Sequence, residues 1–130
     1  VDPAPNCCTN IVMPTPERVN GVPTVVGDPL PAGFVYVRWV CWSQRAIACV
    51  NGCCSPFDVT VTVTNGPGSV VYGSPSNFQR CAWVQVPEGE CATHSVEVVF
   101  VGRTEVSPGV PGAEYTCRRT ASYSDPLCPP

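Results

Sequence analysis

The chain has 130 residues, 16 of them Pro and 11 Gly, with 13% charged residues and a formal net charge of −3. One domain of this length buries a real core. A weakly acidic chain without basic runs offers nothing for nucleic acid or an anionic membrane surface to hold, and no apolar run is long enough to span a bilayer.

The first 33 residues form a Pro-rich lead, with Pro3, Pro5, Pro14, Pro16, Pro23, Pro29 and Pro31. Proline fixes φ and removes a backbone donor, so this stretch is neither a helix nor a central strand. Its opening Val-Asp-Pro-Ala-Pro is expected to be the mature end left after removal of a signal peptide. Ile11, Val12, Met13, Val19, Val22, Val25 and Val26 make the lead too apolar for a solvated linker. It is expected to be extended and packed on a surface, with 22–26 as a short edge strand. The domain division expected is 1–33 for this segment and 34–130 for the body.

Residues 34–42, Phe-Val-Tyr-Val-Arg-Trp-Val-Cys-Trp, are rich in β-formers on both faces and read as a central strand. Strict alternation puts Val35, Val37, Trp39 and Cys41 on one side and Phe34, Tyr36, Arg38, Val40 and Trp42 on the other. Residues 46–50 are the expected return strand, and Asn51-Gly52 is a turn signal. In 57–64, Val59, Val61 and Val63 alternate with Thr60, Thr62 and Thr64, which describes a sheet with one dry and one wet face. After Asn65-Gly66-Pro67-Gly68, residues 69–72 are expected to return as its hairpin partner. Further strands are expected at 80–86, 93–102 and 113–123, the last with Tyr115, Cys117, Ala121 and Tyr123 in phase. Seven or eight short strands, frequent turns and no helical period imply an all-β fold. It is expected to be a disulfide-rich antiparallel β-sandwich of immunoglobulin-like build.

Ten cysteines are the strongest compositional fact: Cys7, Cys8, Cys41, Cys49, Cys53, Cys54, Cys81, Cys91, Cys117 and Cys128. That density belongs to an oxidising, extracellular setting and implies five bridges, although roughly 900 pairings are possible. Adjacent cysteines seldom bridge each other, so Cys7, Cys8, Cys53 and Cys54 are each expected to reach a distant partner, one of the first pair meeting one of the second. Cys128 is placed to pin the tail. Cys49-x₃-Cys53 has zinc-knuckle spacing but no second knuckle, so no metal is assigned. Cys91-Ala-Thr-His94 lacks the second cysteine of a haem-attachment motif, and no cofactor is assigned. No nucleophile elbow accompanies His94, the one histidine. At the mouth of a strand it reads as a surface or capping residue, and no catalytic residue is assigned. There is no Asn-x-Ser/Thr sequon.

Two functions remain. Sheet edges are normally blunted by Lys or other charges, and this chain has no Lys. With its apolar lead, that suggests a structural subunit of an extracellular, pilus-like filament or surface layer: a homopolymer in which residues 9–26 are exchanged by β-strand addition between neighbours. Ile11, Val12, Met13, Val19, Val22, Val25 and Val26 would make the subunit contact. The alternative is a monomeric secreted binding module for a glycan or cell-surface partner, using Tyr36, Trp42 and Trp83 as an aromatic patch while Trp39 fills the core beneath a disulfide.

Overall fold

The computed structural model describes residues 7–19, 21–45 and 47–128. Expectations that fall on residues 1–6, Ala46 and the last two prolines lie outside these. A 3₁₀ turn, Cys7–Asn10, precedes nine strands: β1 Glu17–Val19, β2 Phe34–Ser43, β3 Cys49–Val50, β4 Cys53–Cys54, β5 Asp58–Asn65, β6 Ser69–Gly73, β7 Gln79–Pro87, β8 His94–Ser107 and β9 Val110–Tyr123. All pairings are antiparallel and form two sheets. The first runs β1-β2-β7-β6; in the second, β8 is flanked by β9 on one side and by β5 and the β3-β4 hairpin on the other. The fold is therefore all-β, sandwich-like and closed by five disulfides.

The main core lies between the sheets. Val37, Trp39, Val40, Trp42, Val84 and Val86 from one layer meet Val59, Val61, Val96, Val98, Phe100 and Cys117 from the other. The alternation in β5 is as the sequence implies: Val59 and Val61 are buried, while Thr60, Thr62 and Thr64 are exposed. Each buried Val or Phe adds about 1.5–3 kcal/mol by leaving water.

Several sequence expectations are corrected. The phase of β2 breaks at Trp39, because Arg38 opposes Trp83 and Val40 opposes Ala82, leaving Trp39 as the extra residue of a bulge. One extra residue reverses every later side chain. Val40 and Trp42 thus join Val37 and Trp39 in the main core, and Cys41 moves to the outer face with Phe34 and Tyr36. Residues 69–72 do not pair with β5. Gly66 and Gly68, at φ 91° and 123°, carry the chain into the opposite sheet, where β6 pairs with β7. Residues 47–50 do not return along β2. Cys49–Val50 instead pairs with Cys53–Cys54 around Asn51-Gly52, both at positive φ (55° and 82°), the two-residue turn that suits a right-twisted hairpin. The edge strand of the lead is 17–19, not 22–26. β8 and β9 also extend further than the alternation suggested, to meet at a turn around Pro108-Gly109.

Gly102 on β8 lies opposite Tyr115 on β9, and the tyrosine ring covers the space a Cβ would occupy. Its hydroxyl donates to the Cys54 carbonyl, locking the long hairpin onto β4. Gly102→Ala is expected to displace this ring and cost about 1–3 kcal/mol in urea unfolding. Val12→Ala, at an 83% exposed position, should stay within about 0.5 kcal/mol. Equal effects would contradict the packing described.

Candidate functional site: the seam closed by the lead

The lead is not a separate appendage. From its first described residue it is covalently held by the second sheet, through Cys7–Cys53 and Cys8–Cys117. The Cys7–Cys53 bridge joins one member of each adjacent pair, as expected. Arg119 donates to the Cys8 carbonyl, and Cys8 Sγ lies 3.5 Å from the Thr116 carbonyl, so the 3₁₀ turn sits against β9. The chain then passes toward the first sheet, and Ile11 and Met13 pack against the main core on the way. Glu17, Arg18 and Val19 complete the crossing by pairing with Arg38, Val37 and Tyr36 of β2. Residues 7–19 thus close the open side of the sandwich between β9 and β2. Arg18 also makes an ion pair with Asp125 at 2.9 Å, tying the seam to the chain just after β9.

Residues 21–33 do something different. They cross the outer face of the first sheet as a strap. Val25 and Leu30, with Val19, cover a second apolar cluster of Tyr36, Cys81 and Trp83. The strap is fastened by Val26 N–H to the Ser74 carbonyl (2.8 Å), Tyr36 hydroxyl to the Pro31 carbonyl, and Glu88 N–H to the Gly33 carbonyl (3.0 Å). This explains why β7 is buried on both faces.

The proposed aromatic patch is corrected by these layers. Trp42 lies in the main core, while Tyr36 and Trp83 lie beneath the strap, and all three are buried. Trp42 lies on the opposite face of the sheet from Tyr36 and Trp83, and no patch open to solvent joins the three. Of the seven expected contact residues, Ile11, Met13, Val19 and Val25 face the chain's own clusters, and Val12, Val22 and Val26 are exposed.

All ten cysteines are bridged, the remaining pairs being Cys41–Cys81, Cys49–Cys54 and Cys91–Cys128. Cys54 departs from the distant partner expected of it, because the β3-β4 turn sets Cys49 directly opposite. Cys41–Cys81 joins neighbouring strands of one sheet, so it is not a bridge between layers above Trp39. Cys49, Cys54 and Glu105 place ligand-type atoms within 4.8 Å of one another. The two sulfurs are bonded to each other, however, and offer no thiolate to a metal.

The free rims are guarded, though not by Lys. Tyr72 from β6 places its hydroxyl 3.0 Å from Val61 N–H on the outer side of β5. The 3₁₀ turn occupies the middle of β9, and Pro111 and two register shifts interrupt pairing toward the hairpin tip. β1 is only three residues long. At that same end a cleft of about 390 Å³ opens between Ile47, Phe57, Pro111 and the Cys49–Cys54 bridge, with Arg103 and Glu105 on its wall.

His94 is corrected from a surface residue to a core one, 2% exposed. Trp39 Nε1–H donates to its Nε2 at 2.7 Å, and its Nδ1 lies 3.0 Å from the Ala92 carbonyl. An indole nitrogen only donates, so Nε2 accepts and Nδ1 carries the proton. Tyr123 stacks at a tilt on the ring. Both ring nitrogens are committed and no side-chain oxygen nucleophile bonds them, so the geometry gives His94 a packing role. Nothing in the sequence other than its position near Cys91 distinguished it from a surface histidine. Comparison with protein-family models, with curated proteins and with solved structures finds no match for this chain.

Burial pushes the His94 pKa below its ordinary value, outweighing the opposing pull of the Ala92 carbonyl. The folded state therefore binds this proton less readily than the unfolded chain. Its contribution to stability is complete above the unfolded pKa near 6.5 and is lost as pH falls below that toward the folded value. The urea midpoint is expected to fall between pH 7.5 and 5 in the parent, and the fall should flatten in His94→Gln. An unchanged slope in the variant would place the acid sensitivity elsewhere.

Proposed function

We propose that this protein is a structural subunit of an extracellular filament or surface layer, joined head to tail by donation of its N-terminal lead to the next copy. The observation that carries this reading is the seam. Residues 7–19 complete a core built almost wholly from residues far away in the chain, and their one strand supplements an edge of β2. A segment of that kind makes the same contacts whether it comes from its own chain or from another, which is the physical basis of strand donation and domain swapping. In an isolated chain it docks on its own body.

The donated segment in this reading is 7–19, not the 9–26 the sequence suggested, because the strap is fastened to its own sheet. Five disulfides support an oxidising exterior. No helix among the described residues is long and apolar enough to cross a membrane. The immunoglobulin-like build enters this reading only as two packed antiparallel layers. No catalytic role is assigned.

The second reading, a monomeric module for a glycan or cell-surface partner, moves from the buried aromatics to the cleft at the hairpin end. There Ile47 is 51% and Phe57 37% exposed. Sedimentation and electron microscopy of concentrated native protein separate the two. Head-to-tail polymers are expected, and replacing Ile11 and Met13 with Asp should abolish them. Protein that remains monomeric at every concentration removes the filament and leaves the cleft as the surface to test.

A further inference from the structure

The ten cysteines fall into two groups. Cys41–Cys81, Cys49–Cys54 and Cys91–Cys128 each join two residues of the body and leave the lead untouched. Cys7–Cys53 and Cys8–Cys117 each join the body to the seam segment. No other disulfide holds that segment. The body keeps its own staples whichever copy supplies residues 7–19.

The strap begins just after the seam, at a glycine. Gly21 has φ 75°, a left-handed conformation that glycine alone adopts freely, and a Cβ placed there meets nothing within 4 Å. On its far side the chain is immobilised by the strap contacts to Ser74 and Glu88. The connection from β1 to β2 is also far longer than antiparallel neighbours need, since a hairpin turns in about two to five residues. Nothing in the β1–β2 pairing therefore requires both strands to belong to one chain.

We propose that in the assembled state Cys7 and Cys8 of one copy bond Cys53 and Cys117 of the next, so that each junction of the polymer is locked by two disulfides. This deepens the filament reading and rests on it. The seam between β2 and β9 is the acceptor surface, and its occupant is residues 7–19 of a second copy. Each subunit still forms five disulfides from ten thiols, so the exchange changes which chains are joined without net oxidation or reduction. Thiol–disulfide exchange started by a small-molecule thiol carries it. Its thiolate attacks a seam bridge, forming a mixed disulfide and freeing one cysteine thiolate, which attacks the matching bridge of the next copy. The last thiolate displaced attacks the mixed disulfide and releases the small thiol. Two bridges per junction make the polymer a covalent chain, resistant to denaturants yet dissolved by a small dithiol.

The test is isotope mixing. Equal amounts of ¹⁴N- and ¹⁵N-labelled full-length protein are reduced, oxidised together, and blocked with an alkylating agent. The products are then sized by sedimentation, run on denaturing gels without reductant, and mapped by mass spectrometry of disulfide-linked peptides. The expected result is a denaturant-resistant ladder that collapses to monomer on reduction, with about half of the Cys7–Cys53 and Cys8–Cys117 peptides of mixed mass. The Cys41–Cys81 peptides should carry a single label and serve as the internal control. Polymers that fall to monomers in denaturant alone, with unmixed seam peptides, overturn the interlock while leaving non-covalent assembly standing. Monomers throughout, with every bridge unmixed, overturn both.

Discussion

The structure depends on closing one open side of a two-layer core. Two sheets whose apolar faces meet leave lateral gaps where neighbouring edges are not hydrogen-bonded to each other. On one side, β5 and β6 approach closely and Tyr72 ties them together through the Val61 backbone. On the other side, the gap lies between β9 and β2 and opens onto the main core. Residues 7–19 fill it with Ile11, Met13 and a short strand, held at one end by two disulfides and at the other by the Arg18–Asp125 pair.

The disulfides follow the same logic. In the loop-closure picture a bridge stabilises by limiting the unfolded chain, and its effect grows slowly with the loop it closes. Cys8–Cys117 spans 109 residues and Cys49–Cys54 only 5. The first constrains nearly the whole chain, worth about 4–5 kcal/mol on that scale. The second fixes one hairpin. The two longest loops, 109 and 46 residues, are closed by the seam bridges; Cys41–Cys81 and Cys91–Cys128 close loops of 40 and 37, and Cys49–Cys54 alone shapes a local turn. A chain with few charges and no Lys shields its rims with geometry instead: a tyrosine hydroxyl, a proline, register shifts and the lead.

Much of the architecture was legible because the signals were local. The Val/Thr alternation of 59–64 and the Asn51-Gly52 turn are fixed by period and by positive φ. The geometry that adjacent cysteines disfavour pointed one of Cys7 and Cys8 toward one of Cys53 and Cys54, without saying which. What was not legible was non-local. One bulge at Trp39 inverted the faces of Cys41 and Trp42, and no residue type in Arg38-Trp39-Val40 announces it. Tyr36 and Trp83 looked like surface aromatics because a strand pattern does not reveal that a proline-rich strap will cover its outer face. His94 looked exposed because its partner Trp39 lies 55 residues away. The apolar residues of the lead were recognised as contacts, but period and composition carry no information on which body they touch.

The central claim is that residues 7–19 are the piece that keeps the core dry. It is tested most directly by removing the two seam disulfides together, with Cys7, Cys8, Cys53 and Cys117 all replaced by Ala, and measuring apolar-dye fluorescence alongside urea unfolding at neutral pH. The account expects the variant to stay rich in β-structure by circular dichroism, to bind dye that the parent excludes, and to unfold at a markedly lower urea concentration. A variant that excludes the dye and unfolds where the parent does would contradict it.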